Sequence, residues 1–562
     1  MHINKFVYYL DQYNVLSPNH SKIYDEYTHE DNELSKYAFS IDTKVEKHLT
    51  NIYDTQPKHV ILTGNAGDGK TRLCRRIHDR ISRNEMHSWP NDGIVSVFYK
   101  GYEIVIVKDL SELSGNKINS ILIDLDNCIK NNLKKFYLIA ANEGKLTKSL
   151  SEDNALKDLK EEVQLRFANH LNNNNELEVI NLQDVTSSVY AEKIINEWTS
   201  EKNWEQCNSC PLISECIIHH NYKKVNEVII KTKIVEQYRM LDYLSEHITM
   251  REMLIHLAYT ITGGLKCDDI FSKNIKIRDS HFHHVYYENF YGVSAENVTS
   301  EKIQALKTIK TMDPGKYSFS LIDDFIINGD ISGNENLEKE HNRLIDDSID
   351  LKRGYFKNQL NMYRDHNELV VYKEISLWIN KIRRKLFFES ISEILPVKKL
   401  LPFEYVKSYT NLFEDTNSSD NKKLLIMALN RAFSRKLINP DLNKNLYATN
   451  ETLLIKNSFK RKELKLVIEN IRKDIDHLPS KIRLEVEDVG EVSLQINLAV
   501  FEYLMRIMSG GTHNVLKNEV EILIDTFRNE LMTIEVDVND ELEILKYDQS
   551  LGLFVEAELS LD

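Results

Sequence analysis

The segment that most limits how this chain can fold is His59-Val60-Ile61-Leu62-Thr63, followed by Gly64-Asn65-Ala66-Gly67-Asp68-Gly69-Lys70-Thr71 and then Arg72-Leu73-Cys74-Arg75-Arg76-Ile77. The first five residues form a short apolar, β-branched run, the pattern of a buried strand. The last six contain no helix breaker. Between them stands G-x-x-x-x-G-K-T, the spacing of a phosphate-binding loop. Its glycines let the backbone turn N–H groups toward a phosphate, and the start of a helix adds about half a positive charge behind them. Lys70 is then expected on the β- and γ-phosphates of ATP, and the Thr71 hydroxyl on Mg²⁺. The expected binding set is Gly64, Asn65, Ala66, Gly67, Asp68, Gly69, Lys70, Thr71 and Arg72.

Hydrolysis needs a metal-ligating acid and a group that positions water. Ile94–Phe98 reads as a second strand. Glu103-Ile104-Val105-Ile106-Val107 reads as a third, running through Lys108 into Asp109-Leu110-Ser111-Glu112. An apolar strand ending in Asp suits a magnesium ligand, which makes Asp109 the candidate and Glu112 a candidate to orient the attacking water. Lys108 interrupts the usual pattern. The rival segment is Ile121-Leu122-Ile123-Asp124-Leu125-Asp126, but Ile118, Ile121, Leu122, Leu125 and Ile129 recur at three and four, as in a helix. Phe136–Ala141 is the fourth strand. It ends at Asn142-Glu143-Gly144, where Asn142 could touch the γ-phosphate or the water and Glu143 is a second water-orienting carboxylate. A charged helical stretch over 154–169, with Arg166 near its end, precedes a fifth strand at Leu177–Leu182. Alternating strands and helices predict an α/β fold, a parallel sheet with helices on both faces.

From Val185 to about Gly264 the pattern turns helical, as expected for a helical lid. Thr249 followed by Glu252 is a capping box that opens a helix, with Arg251 in its first turn. Inside this region Cys207, Cys210 and Cys216 form C-x2-C-x5-C, followed by His219 and His220. Three thiolates and a fourth ligand would close a structural Zn²⁺ site, with an iron–sulfur cluster as the other occupant. The fourth ligand is His219, His220 or Cys267. His281, His283 and His284 fit no metal template and read as a polar turn.

The remainder explains less. Leu377–Phe388 reads as a helix carrying Lys381, Arg383, Arg384 and Lys385; with Lys460-Arg461-Lys462 it is a candidate contact for a nucleic-acid backbone. Alternating runs at Ile482–Val486 and Val492–Ile496, helices at Ala499–Met508 and Val515–Leu531, and a strand-like tail from Ile534 suggest an α+β C-terminal module. The expected organisation is an N-terminal helical segment at 1–50, the nucleotide core at 51–184, the lid at 185–280, a mostly helical region at 281–390 and the α+β module at 391–562.

With 72 Lys+Arg against 86 Asp+Glu the net charge is −14, which argues against nucleic acid coating the whole surface but leaves room for a local basic channel. No apolar run is long enough to span a membrane, the N-terminus lacks a signal-peptide pattern, and clustered cysteines suit metal binding in a reducing compartment. The expected location is the cytoplasm.

Taken together, Gly64–Thr71, Asp109-Leu110-Ser111-Glu112, Ala140-Ala141-Asn142-Glu143-Gly144 and the Cys207–Cys216 cluster resemble bacterial AAA+-like ATPases of anti-phage defence islands, of the type of the DNA phosphorothioation-dependent restriction protein DptF. The resemblance covers roughly residues 50 to 330. It implies a P-loop NTPase with a helical lid, in which Asn142 serves as sensor 1 and Arg251 as sensor 2. It implies that Arg166 reaches a neighbouring subunit's nucleotide as an arginine finger. It further implies a homo-oligomer that works with other defence proteins and uses ATP hydrolysis to remodel or translocate double-stranded DNA or a partner protein. The alternative is a nucleotide-gated sensor or scaffold with little turnover.

Overall fold

The computed structural model describes residues 3–18, 20, 37, 41–169, 176–271, 280–295, 297–329, 333–345, 349–352, 354–416, 418–439, 445–447, 453–455, 458–486, 492–511, 517–534 and 544–557. They divide into two compact units: Met1–Leu241, His247–Leu401 and Arg472–His477 make the first, and Asp242–Glu246, Pro402–Ile471 and Leu478–Asp562 the second.

In the first unit, helices α1 (Lys5–Asp11) and α2 (Lys44–Thr55) precede a five-stranded sheet. Its strands are β1 (His59–Thr63), β2 (Ile94–Tyr99), β3 (Tyr102–Val107), β4 (Lys135–Ala140) and β5 (Leu177–Asn181), in the order β2-β3-β4-β1-β5. β3, β4, β1 and β5 run parallel, with Ile61 opposite Ile139 and Val179, and Val107 opposite Ile139. Between them come α3 (Lys70–Ser82), α4 (Gly115–Lys130), α5 (Glu143–Glu152) and α6 (Lys157–Asn169). Every residue of β1 is buried, as a central strand covered on both faces requires. Ile61, Val107, Ile139 and Val179 pack against Leu122, Leu125, Leu146 and Val163 of the helices. Each such side chain stabilises the fold by about 1.5–3 kcal/mol relative to exposure.

The sheet departs from the expected all-parallel pattern at its edge. β2 and β3 are antiparallel, with Tyr99 paired to Tyr102. Only Lys100 and Gly101 join them, both at positive φ (50° and 86°). A two-residue loop of this kind makes a hairpin, whereas a parallel crossover needs a dozen or more residues. The rival to Asp109 is removed by α4, in which Ile118, Ile121, Leu122 and Leu125 face the core. Asp124 pairs with Lys135 at 2.6 Å and Asp126 with Lys130 at 2.8 Å.

Helices α7 (Ser187–Trp198), α8 (Ile217–Asn226), α9 (Val228–Tyr243) and α10 (Met250–Thr262) follow the sheet, and a short α11 covers Cys267–Ile270. Further on, the helix Tyr372–Glu389 carries the basic run expected to meet a nucleic-acid backbone. That expectation fails here, because the run is buried and paired. Lys381 meets Glu288 at 2.9 Å, Arg383 meets Asp323 at 2.6 Å, Arg384 meets Asp313 at 2.7 Å, and Lys385 meets both Asp350 and Glu389. Tyr286 donates to Glu389 at 2.9 Å within the same cluster. Sequence spacing alone cannot distinguish a basic surface from cations enclosed by carboxylates on distant segments.

The second unit is α+β. It holds helices Val406–Glu414, Ser419–Ser434, Leu498–Met508 and Lys517–Thr533. Strands Leu464–Ile468, Ile482–Val486 and Ser493–Ile496 form one antiparallel sheet, and Ile544–Asp548 pairs with Leu553–Ala557 in another. The strand-like tail read at residues 535–538 lies outside the described residues. Among the described residues no helix is long and apolar enough to cross a membrane.

Two expectations follow from this packing. Arg384→Ala leaves the 2%-exposed Asp313 carboxylate without its bidentate partner, and the unfolding free energy should fall by about 3–5 kcal/mol. Lys157→Ala breaks an exposed pair to Glu161 and should cost under about 1 kcal/mol; urea titration compares the two. The second concerns pH. Burial lowers His59 and His256 from 6.5 to about 4. His256 sits with Nε2 2.8 Å from the Phe290 carbonyl and Nδ1 2.6 Å from the Tyr238 hydroxyl. The unfolded chain takes up these protons first, so stability is full above pH 6.5. As pH falls toward 4, each histidine should remove about 1.4 kcal/mol per unit. Urea midpoints measured from pH 7.5 to 5 check the slope, which His256→Gln should reduce.

Candidate functional site

The Gly64–Gly69 loop leaves β1 at the carboxyl end of the parallel strands. Asp109 after β3, Asn142 after β4 and Gln183 after β5 emerge at the same edge, where open α/β sheets bind ligands. Two loop glycines are required by close approach. A Cβ on Gly64, at φ 141°, would stand 2.7 Å from Asp68 Oδ2. On Gly67, at φ 103°, it would stand 3.1 Å from both Arg251 Cβ and Thr249 Oγ1. α3 starts at Lys70 with Gly69 at its N-cap, and no side chain caps it, which leaves the orphan N–H groups of the first turn for another acceptor.

Lys70 is buried, and its Nζ donates to the Gly64 and Asn65 carbonyls at 2.8 Å each. Burial lowers its pKa. The charges of Asp68 and Asp109 raise it in part, and Arg251 opposes them. Lys70, Asp109 and Arg251 therefore stand within electrostatic reach of one another. Arg251 is positioned by the capping box of α10: Thr249 Oγ1 accepts the Glu252 N–H at 3.3 Å, and Glu252 Oε2 accepts the Thr249 N–H at 2.9 Å. The Arg251 backbone N–H donates to Gly67 O at 3.1 Å, joining α10 to the loop.

Asp109 caps the short turn Leu110–Glu112 by accepting the Ser111 N–H at 2.8 Å. Lys108 does not intrude. Its stem lies along Gly93, and its ammonium reaches Glu112 at 3.0 Å. Glu112 is 56% exposed and bound to that lysine, a poorer place for a water-orienting carboxylate than Glu143. Asn142 caps α5 through the Gly144 N–H at 3.1 Å. With Glu143 it lines a cavity of about 580 Å³ that also takes in Asn65, Thr147, Lys148 and Gln183. Ala66 and Arg72 are exposed beside the loop, and Thr71 is half-buried at the first turn of α3.

Arg166 does not suit a reach into a neighbouring subunit. Its side chain is 2% exposed and is held by Glu162, through the backbone carbonyl and through Oε1, both at 3.0 Å. Sequence reasoning missed two partners of the loop. His247 Nε2 stands 2.8 Å from Asp68 Oδ1, while Asp68 Oδ2 accepts the Asn65 N–H at 2.6 Å. Gln183 Nε2 donates to Asn65 Oδ1 at 3.0 Å. Neither lies in a motif, and only the fold brings them to the loop.

The cysteines gather from three places. Cys207 and Cys210 belong to the turn around Glu205–Ser209, Cys216 precedes α8, and Cys267 opens α11. Burial, helped by neighbouring thiols, pushes Cys207 up, Cys216 to about 12 and Cys267 to about 11. His219 packs its ring 5.7 Å from that of Tyr222. His220 instead feels Asp350, Lys385 and Glu389 of the buried ion cluster. Among the described residues, no three His, Cys, Asp or Glu side chains are drawn together tightly enough to hold a metal ion as they stand. His284, in the 3-10 helix His281–His284, is engaged by the Gly263 carbonyl at 3.1 Å.

Comparison with protein-family models, with curated proteins and with solved structures returned no match.

Thr249→Ala removes the cap that fixes the first turn of α10. It should lower stability by about 1 kcal/mol, and Thr249→Ser should restore most of it; urea midpoints of the two variants check this.

Proposed function

We propose that this chain is a P-loop NTPase that binds ATP with Mg²⁺ at Gly64–Thr71 and hydrolyses it. The observation that carries the reading is a loop at the carboxyl edge of the sheet that holds Lys70 and, through Gly67, the first turn bearing Arg251, with Asp109 leaving the parallel strand β3 at the same edge. The loop N–H groups, Lys70 and Arg251 would meet the phosphates. Thr71 and Asp109 would hold Mg²⁺, and Asn142 with Glu143 would orient water in the adjoining cavity. When bound, the ion would draw charge from the transferring phosphoryl oxygens.

The resemblance to defence-island ATPases supports a homo-oligomer working with other defence proteins in the bacterial cytoplasm, on double-stranded DNA or on a partner protein. A trans-acting arginine must come from a residue other than Arg166. Of the two basic stretches, Lys460-Arg461-Lys462 faces solvent and is the remaining candidate for DNA contact. One observation favours the slower, switch-like reading: Lys70 Nζ and the Asn65 N–H are both engaged inside the loop, by its own carbonyls and by Asp68. Phosphate must displace those bonds before chemistry begins.

Steady-state ATP hydrolysis with and without double-stranded DNA tests the proposal. Lys70→Ala should lower kcat by about 100-fold or more, and Asp109→Ala and Glu143→Gln should also lower it, with ATP binding retained by Glu143→Gln. ATP binding with negligible turnover, with or without DNA, would favour the switch. Failure of the wild-type chain to bind ATP would overturn both.

A further inference from the structure

Strand β2 closes one side of the five-stranded sheet, and among the described residues no strand pairs with its outer edge. Its register with β3 shows which backbone groups that edge presents. Tyr99 pairs with Tyr102 across the hairpin, and at the other end the Lys108 N–H donates to Gly93 O at 3.0 Å. Hydrogen-bonded pairs alternate with open ones in an antiparallel ladder, so Gly93, Val95, Val97 and Tyr99 turn their N–H and C=O groups to β3. Ile94, Ser96 and Phe98 turn theirs outward. Asp92 takes one of those groups, the Ile94 N–H, at 3.2 Å. Edge strands are ordinarily guarded by charge, proline, a bulge or brevity. Ile94-Val95-Ser96-Val97-Phe98-Tyr99 is six residues long, keeps an unbroken register and contains neither charge nor proline. Phe98 is 81% exposed on it.

We infer that this edge pairs antiparallel with the β2 edge of a second copy of the chain, about a two-fold axis at Ser96, and so joins two sheets side by side. The register follows from the outward groups. Residues 94, 96 and 98 of one copy can meet only 94, 96 and 98 of the other, and the pairing that uses all three sets Ser96 opposite Ser96 and Ile94 opposite Phe98. With Asp92 left in place, each Ser96 N–H donates to the other Ser96 carbonyl, and each Phe98 N–H to the other copy's Ile94 carbonyl. A two-fold axis normal to the sheet keeps the faces matched, so exposed Phe98 covers the half-buried Ile94 of the second copy, and Val95 lies opposite Val97. The same register brings Lys100 of each copy to the end where the other has Asp92. Those side chains are 50% and 49% exposed and are held at the surface by Asp54 and Lys117. The edge is thus complementary to itself in hydrogen bonds, in apolar cover and in charge, which an isologous contact requires. It offers no charged residue within the strand by which to choose a different partner. This contact is independent of the nucleotide reading.

The test uses the full chain in sedimentation equilibrium without nucleotide, together with two variants at the axis. Ser96→Pro removes the central outward N–H and none of the bonds to β3, a place where an edge strand tolerates proline. It should halve the mass found for wild type. Ser96→Cys sets two thiols across the axis on backbones about 5.5 Å apart, within the span of a disulfide. Under mild oxidation it should give a covalent dimer on a non-reducing gel, while wild type, with its native cysteines, stays unlinked. Should Ser96→Pro fail to fold, the linkage of Ser96→Cys decides alone. Wild type sedimenting as a monomer would overturn the inference and leave the edge to some other strand. So would an assembly whose mass Ser96→Pro leaves unchanged, or a Ser96→Cys chain that does not cross-link.

Discussion

The Arg251 backbone N–H donates to the Gly67 carbonyl across 3.1 Å, and that bond ties the loop between β1 and α3 to the first turn of α10. Much of the site depends on it. Gly67 can come this close only because it has no side chain, and α10 starts where it does because Thr249 and Glu252 cap each other. The join brings Arg251 within electrostatic reach of Lys70, and Asp68 adds a second tie through His247. The loop and the helical layer are thus joined through backbone as well as through side chains.

The parts of the chain legible in its sequence are those fixed by short-range patterns. An apolar run, spaced glycines and an unbroken helical stretch identify residues 59–77, and the three-four periodicity of Ile118, Ile121, Leu122 and Leu125 identifies α4. The Thr249–Glu252 box lies within four residues and is read directly. What escaped was decided over long range or by a single turn. The direction of β2 follows from Lys100-Gly101 adopting left-handed backbone, which lysine rarely advertises. The fate of the Lys381–Lys385 run follows from which carboxylates the fold delivers to it. Asp313 and Asp350 are 71 and 35 residues from the cations they meet, and no local pattern predicts such pairings.

The enclosed charges around the helix Tyr372–Glu389 also explain how so acidic and basic a chain can form a large core. Glu288, Asp313, Asp350 and Glu389 are each buried and each meet a buried or half-buried cation. Such pairs add little stability over apolar contacts of the same volume, but a misplaced segment leaves an uncompensated charge inside. They therefore penalise wrong packing of residues 286–389 more than they reward the right one.

The short segment Arg472–His477 belongs to the first unit, although residues on both sides of it belong to the second. Asp476 accepts the Lys44 N–H at 2.8 Å and meets Lys193 at 3.0 Å, and Arg472 meets Asp184 at 2.6 Å, next to the glutamine that holds Asn65. The chain passes between the two units at five points. Expression of the first 401 residues alone would consequently not isolate an intact first unit. It would remove a six-residue patch from its wall and leave Lys193 and Asp184 without these partners.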